Sequence, residues 1–185
     1  MSAVSPARLA EIYSDGDDPW GFRHSPYEQA KYRKTCRALP RRRYRSALEI
    51  GCGNGELARR VSRRCARYTG VDAVETALAA ARRAVPRGRF YRLHLPAPLP
   101  RGDHDLILLS EILYFLDRPG LDALARQIDR RWPRADILCV TWLGPSGNAI
   151  EGAPALRRFA QTGRRRFRPM PGSTRYRIDL ARGRP

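Results

Sequence analysis

Glu49-Ile-Gly-Cys-Gly-Asn-Gly55 is the segment on which the fold turns. Ahead of it, Arg45–Ile50 is an apolar run ended by Gly51, the pattern of a buried strand. Behind it, Gly55–Ala66 has helical spacing, with Leu57, Ala58 and Val61 on one face. Three glycines at alternate positions permit positive φ and let the backbone approach a ligand with no Cβ in the way. The following helix offers free N–H groups and the positive end of its dipole. Such a unit can hold a pyrophosphate, or the amino-acid carboxylate of S-adenosylmethionine.

Two details separate these ligands. The spacing G-x-G-x-G is tighter than the G-x-G-x-x-G of dinucleotide sites. Glu49 stands two positions before the loop, where a carboxylate repels a pyrophosphate but suits the ammonium of a methionine moiety. Asp72 ends the next strand, about twenty residues on, where a carboxylate accepts hydrogen bonds from both ribose hydroxyls. An Asp there also makes a helix N-cap, but its distance from the glycine loop favours ribose. The cofactor expected is S-adenosylmethionine, held by Glu49, Gly51, Cys52, Gly53, Gly55, Asp72 and Ala73.

Outward from this unit, strands and helices alternate. Strands are expected at Tyr68–Val71, Arg89–Leu93, Asp105–Leu109 and Ala135–Trp142, with helices at Ala73–Val85, Leu121–Trp132 and Ala155–Gln161. Asp105–Leu109 is almost wholly apolar, as for a strand covered on both faces. Basic, alternating segments at Arg165–Arg168 and Thr174–Leu180 flank Pro169-Met-Pro-Gly172 and read as an antiparallel hairpin. Ahead of the first strand lie helices near Pro6–Tyr13 and Tyr27–Leu39, separated by the turn-rich Ser14-Asp-Gly-Asp-Asp-Pro19. The fold class is therefore α/β: a Rossmann-like, doubly wound, mostly parallel sheet with a C-terminal antiparallel hairpin. Residues 1–40 form an N-terminal helical cap or lid, and 41–185 the cofactor-binding domain.

Composition bounds the function. The chain has 185 residues and 42% apolar content, enough for one domain with a sizeable core. No apolar stretch approaches a membrane span, and the N-terminus lacks a signal-peptide pattern, so a cytoplasmic enzyme is expected. Cys36, Cys52, Cys65 and Cys139 show no paired spacing and only three His exist, so no metal site is expected. The net charge of +18 invites a polyanion partner, but the excess is nearly all Arg, spread along the chain as on a solvated surface.

A longer pattern resembles a narrower group of class I methyltransferases, the nodulation protein S-like family. It runs from about residue 10 to 180 through Asp18-Pro-Trp-Gly-Phe22, Ser25-Pro-Tyr-Glu-Gln-Ala-Lys-Tyr32, Ala47-Leu-Glu-Ile-Gly-Cys52, Asp105-Leu-Ile-Leu-Leu-Ser-Glu-Ile-Leu-Tyr114 and Tyr176-Arg-Ile-Asp-Leu180. The resemblance implies a seven-stranded sheet and, in the member that names the family, N-methylation of a chito-oligosaccharide amine. Two departures stand out. His94, followed by Leu95, replaces the acid that in the family accepts a hydrogen bond from the adenine amino group. Neutral imidazole can accept that bond and imidazolium cannot, so cofactor affinity is expected to fall at acid pH unless His94 is a plain loop residue. Thr141-Trp142 stands where the family tends to have His-Trp, and Glu151–Arg158 lacks a His. Both changes fall on the expected substrate side.

Methyl transfer needs alignment and a dry pocket more than covalent help. Glu111, just past the fourth strand, is placed to accept a proton from an amine or to orient it; the alternative is a favourable acid at a helix start. Ser110 is expected to touch the cofactor and Tyr114 to line the pocket or donate a hydrogen bond. Trp20, Tyr27, Lys31, Tyr32 and Trp142 are expected at the substrate or lid, where aromatic faces suit a cationic sulfonium, or pack the segment onto the sheet. The leading reading is a small-molecule or saccharide N-methyltransferase. A nucleic-acid methyltransferase and a cofactor-binding module without turnover are the alternatives.

Overall fold

The computed structural model describes residues 3–184; Met1, Ser2 and Pro185, at the ends of the two expected segments, lie outside the described residues. Seven strands, β1 Tyr44–Ile50, β2 Cys65–Asp72, β3 Arg89–Arg92, β4 Leu106–Ser110, β5 Asp136–Trp142, β6 Arg168–Met170 and β7 Tyr176–Ala181, form one sheet. Their order is β3-β2-β1-β4-β5-β7-β6. The first five pair in parallel, and β7 pairs antiparallel with both β5 and β6. This is the expected doubly wound sheet with its terminal hairpin.

The helices are α1 Pro6–Ile12, α2 Pro26–Ala38, α3 Ala58–Val61, α4 Glu75–Ala84, α5 Arg118–Arg131 and α6 Gly152–Thr162. Proline follows the cap in α1 and α2, where the Ser5 and Ser25 hydroxyls accept the Arg8 and Glu28 N–H groups. Asp117 does the same for Gly120 at the start of α5. Strand β4 shows why the sheet needs two layers of cover. Leu106 and Leu108 join the core beneath α2, α3 and α4, whereas Ile107 and Leu109 join the one beneath α5 and α6. Through Tyr32 and Ala38, with Leu39 at its C-cap, α2 is part of that first core.

Two expected elements are corrected. The helix after the glycine loop is only α3 with the 3-10 turn Ser62–Arg64, not Gly55–Ala66. Cys65–Arg67 instead lengthen β2, whose ladder with β1 already begins at Tyr44 opposite Cys65. Sheet pairing outweighs helical spacing there. The hairpin strand is Arg168–Met170 rather than Arg165–Arg168, because Arg165 is buried. It bonds the Asp129 carboxylate and the carbonyls of Trp132 and Ala135, fixing the loop to α5. Pro169 is tolerated because β6 is an edge strand.

Candidate active site

Strand order reverses between β1 and β4, and beyond the carboxyl ends of these strands lies a cavity of about 710 Å³. It brings together all but one of the expected site residues: Glu49, Gly51, Cys52, Gly53, Asp72, Ala73, His94, Leu95, Ser110, Glu111, Tyr114, Trp20, Tyr27, Lys31, Tyr32 and Trp142. The exception is Gly55. Its φ of +83° requires glycine, but a Cβ there would lie 2.8 Å from Ala81 Cα, so Gly55 seats the loop against α4. Gly51 (φ +76°) and Gly53 (φ +51°) do line the cavity, and a Cβ on Gly53 would project into nearly open space.

Asp72 organises the loop. Its Oδ2 accepts the Gly53 N–H at 2.8 Å and its Oδ1 the Val74 N–H at 3.0 Å, which delays α4 to Glu75. One lone pair on each oxygen is thus used by the backbone, leaving acceptor capacity toward the cavity. Burial raises its pKa. Glu49 is buried at 1% exposure and accepts the Tyr68 hydroxyl at 2.7 Å. Burial lifts its pKa to about 8 against that hydrogen bond, and nearby Asp72 adds to the rise. Among the described residues neither carboxylate has a basic side chain within ion-pair distance, in a chain of net charge +18. Two unpaired carboxylates facing a cavity suit a ligand with a cation and hydroxyls.

At the other end, Glu111 stands in the left-handed region at φ +57°. Three donors hold it: Lys31 Nζ at 2.8 Å on Oε1, and the Trp142 N–H at 2.7 Å and Tyr114 hydroxyl at 3.1 Å on Oε2. Burial disfavours the charge on Lys31, but Glu111 and Glu28 together outweigh it and raise its pKa. The rings of Tyr27 and Tyr176 lie 5.6 and 5.8 Å from its Nζ. Lys31 is therefore an internal counter-ion at 3% exposure rather than a lid surface.

The segment before α2 lies over the cavity and is tied down at several points. Val4 donates to the Phe115 carbonyl at 2.9 Å, and the Val4 carbonyl lies 3.1 Å from His94 Nε2. A hydrogen bond to a carbonyl requires a proton on Nε2. Asp18 accepts the N–H groups of Phe22 and Arg23 and also Asn54 Nδ2, joining the segment to the glycine loop. Tyr13, Trp20, Phe22 and Tyr32 form a chain of ring contacts at 5.4 to 6.3 Å.

Sequence reasoning missed Tyr13, Phe22, Asn148 and Arg175, all of which line the cavity. Phe22 carried a signal, as the last residue of the Asp18-Pro-Trp-Gly-Phe22 stretch. Arg175 carried none, since only the tertiary fold lays it over the Tyr27 ring, 4.0 Å from its centroid. Among the described residues no group of three or more His, Cys, Asp or Glu could hold a metal ion, and no helix is long and apolar enough to cross a membrane.

The sequence pattern of the nodulation protein S family matches residues 7–128. The nodulation protein S of Sinorhizobium fredii is 25% identical over 165 residues, covering 83% of this chain and 72% of the relative. The crystal structure of the N-methyltransferase NodS of Bradyrhizobium japonicum, in complex with S-adenosyl-L-homocysteine, superposes with a TM-score of 0.81 at 17% identity. It covers 96% of this chain and 98% of that one. A Pseudomonas syringae structure described as a methyltransferase gives 0.72 at 30% identity, covering 84% and 98%. With the pattern spanning most of the chain and the fold superposing over nearly its whole length, the protein belongs to the nodulation protein S family and has the class I methyltransferase fold.

Proposed function

We propose that the protein is an S-adenosylmethionine-dependent methyltransferase that methylates the nitrogen of a small-molecule or saccharide amine in the cytoplasm, with residues 1–40 as the cap of its site. The observation that carries this reading is the pair Glu49 and Asp72, unpaired carboxylates at a glycine-lined cavity in a strongly basic chain. When bound, S-adenosylmethionine supplies an electrophilic methyl group on a sulfonium. Gly51 and Gly53 would permit its close approach to the backbone, Glu49 would answer its ammonium and Asp72 would accept from its ribose hydroxyls. His94, Leu95 and Ala73 serve the adenosine end, Cys52 the loop, and Ser110 the turn beside the methionine.

On the acceptor side, three donors already satisfy Glu111, so it orients the amine rather than carrying its proton away. Its positive φ is sustained by those bonds, as expected where strain serves a site. Tyr114, Tyr27 and Trp142 wall the acceptor region, and the Trp20–Phe22 cover excludes water. The test is a methyl-transfer screen with aminosugars, oligosaccharide amines and polyanions. Turnover of amines is expected. Transfer confined to RNA or DNA with a steep salt dependence would replace the amine reading. Cofactor binding with no product across the panel would end the enzymatic one.

A further inference from the structure

A second concavity, of about 460 Å³, opens between the start of α5 and the outer face of α6. It is within the size range of small-ligand sites. Arg118, Arg157 and Arg158 line it, with Glu151, Ile150 and Gln161. Among the described residues Arg118 and Arg157 have no acid within ion-pair distance. Arg158 is held by Asp122 at 2.6 Å through Nη2, while its Nε–H has no acceptor. Glu151 accepts the Ser146 N–H at 2.9 Å and so braces the loop that separates this groove from the main cavity. Pro145–Asn148 line the main cavity, and the next three residues line the groove. Arg118 likewise lies two residues beyond Leu116, the last of the three residues Tyr114, Phe115 and Leu116 that line the main cavity.

We propose that this groove is a subsite for an anionic group, phosphate or carboxylate, carried by the methyl acceptor beyond the nitrogen that is methylated. With Arg158 answered by Asp122, Arg118 and Arg157 against Glu151 still give the groove a positive surplus, and the planar fork of Arg matches both anions in bidentate fashion. The proposal rests on the amine-acceptor reading above and narrows it: an extended acceptor crosses the loop at Ser146–Glu151, nitrogen at Glu111 and anion at Arg118 and Arg157.

The test separates the groove from the general charge of the chain. Inorganic phosphate, glucosamine 6-phosphate and glucuronate are titrated calorimetrically, at fixed ionic strength, into full-length protein saturated with S-adenosylhomocysteine. At least one anion is expected to bind, about tenfold more weakly in Arg118→Gln/Arg157→Gln. Arg130→Gln/Arg134→Gln, the same charge change away from the groove, should retain the affinity. Phosphate without glucuronate binding, or the reverse, identifies the anion. No binding, or equal loss in both double variants, overturns the subsite. Equal kcat/KM in wild type and Arg118→Gln/Arg157→Gln for every methylated acceptor that carries both an amine and an anionic group also overturns it, with the amine-methylating activity intact. Anion binding at the groove with no amine of the methyl-transfer panel methylated would instead remove the amine reading and leave the anion site.

Discussion

Glu49 sits fully buried at the end of β1, and its pKa of about 8 lies well above the ordinary 4.5. Between those values the folded protein holds a proton that the unfolded chain has released. Stability of the cofactor-free protein should therefore fall as pH rises from about 4.5 to 8, by roughly 3–5 kcal/mol for this group. Urea unfolding at pH 5, 6.5 and 8 checks this; Glu49→Gln should flatten the dependence, and parallel curves for the two proteins would refute it. A cofactor ammonium beside Glu49 restores the charge, so binding near pH 7 should release a proton. Lys31 is the opposite case, a buried cation answered by two carboxylates. Lys31→Met should cost roughly 3–5 kcal/mol by leaving them unpaired, and Lys31→Met/Glu111→Gln should recover part of that loss. Glu111→Gln alone should reduce turnover about a hundredfold. Unchanged turnover and acceptor affinity in Glu111→Gln would take the residue out of the mechanism.

Among the elements, the loop between β1 and α3 divides its glycines between two tasks. Gly53 faces the cavity, and a methyl group on its Cα would stand 3.8 Å from its nearest neighbour, the Tyr13 hydroxyl. Gly55 faces Ala81 on α4 with no room at all. Gly55→Ala should thus lower stability by roughly 3 kcal/mol or more, from backbone strain plus overlap with α4. Gly53→Ala should cost about 1–2 kcal/mol in stability, because only the left-handed backbone resists it, and should weaken cofactor binding more. Denaturant unfolding beside cofactor titration separates the two. Equal stability losses would contradict the division. The loop's glycine spacing was legible in the sequence, but which glycine faced the cavity and which met the helix was not, because Ala81 on α4 approaches Gly55 from far along the chain.

The whole molecule keeps its charges in order by pairing acids at the amino ends of the strands. Asp136, 0% exposed on β5, takes Arg41 and Arg182 as partners and accepts the Gly183 N–H. Asp105 accepts the Arg45 and Ser46 N–H groups, tying β1 to β4. Beside them His104 shares a 2.9 Å hydrogen bond with Ser46, and burial, aided by Arg131 and Arg67, lowers its pKa to about 4. Between the ordinary 6.5 and about 4 the unfolded chain binds a proton that the folded one does not. Stability should fall as pH drops through that window, by roughly 1–2 kcal/mol after allowance for solvent screening. Thermal melts of wild type and His104→Gln from pH 7 to 4 check it, and an unchanged slope in the variant would count against it. Glu49 acts in the opposite sense and with the larger amplitude, so the two groups together should leave the cofactor-free protein more stable at pH 5 than at pH 8.

The alternation of strands and helices, the glycine loop, the carboxylates Glu49 and Asp72, and the terminal hairpin were all legible along the chain. Each is a local pattern: an apolar run, a glycine spacing, an acid at a strand end. Local pattern overran the helix after the loop and displaced β6, because ladder pairing with β1 and the buried Arg165 depend on distant partners. Folding in three dimensions turned Lys31 inward to Glu111, 80 residues away, took Gly55 out of the cavity, and put Arg118 beside Arg157. Ion pairs and close approaches of this kind depend on which segments the sheet order brings together, and that order is set by long-range pairing rather than by neighbours in the chain.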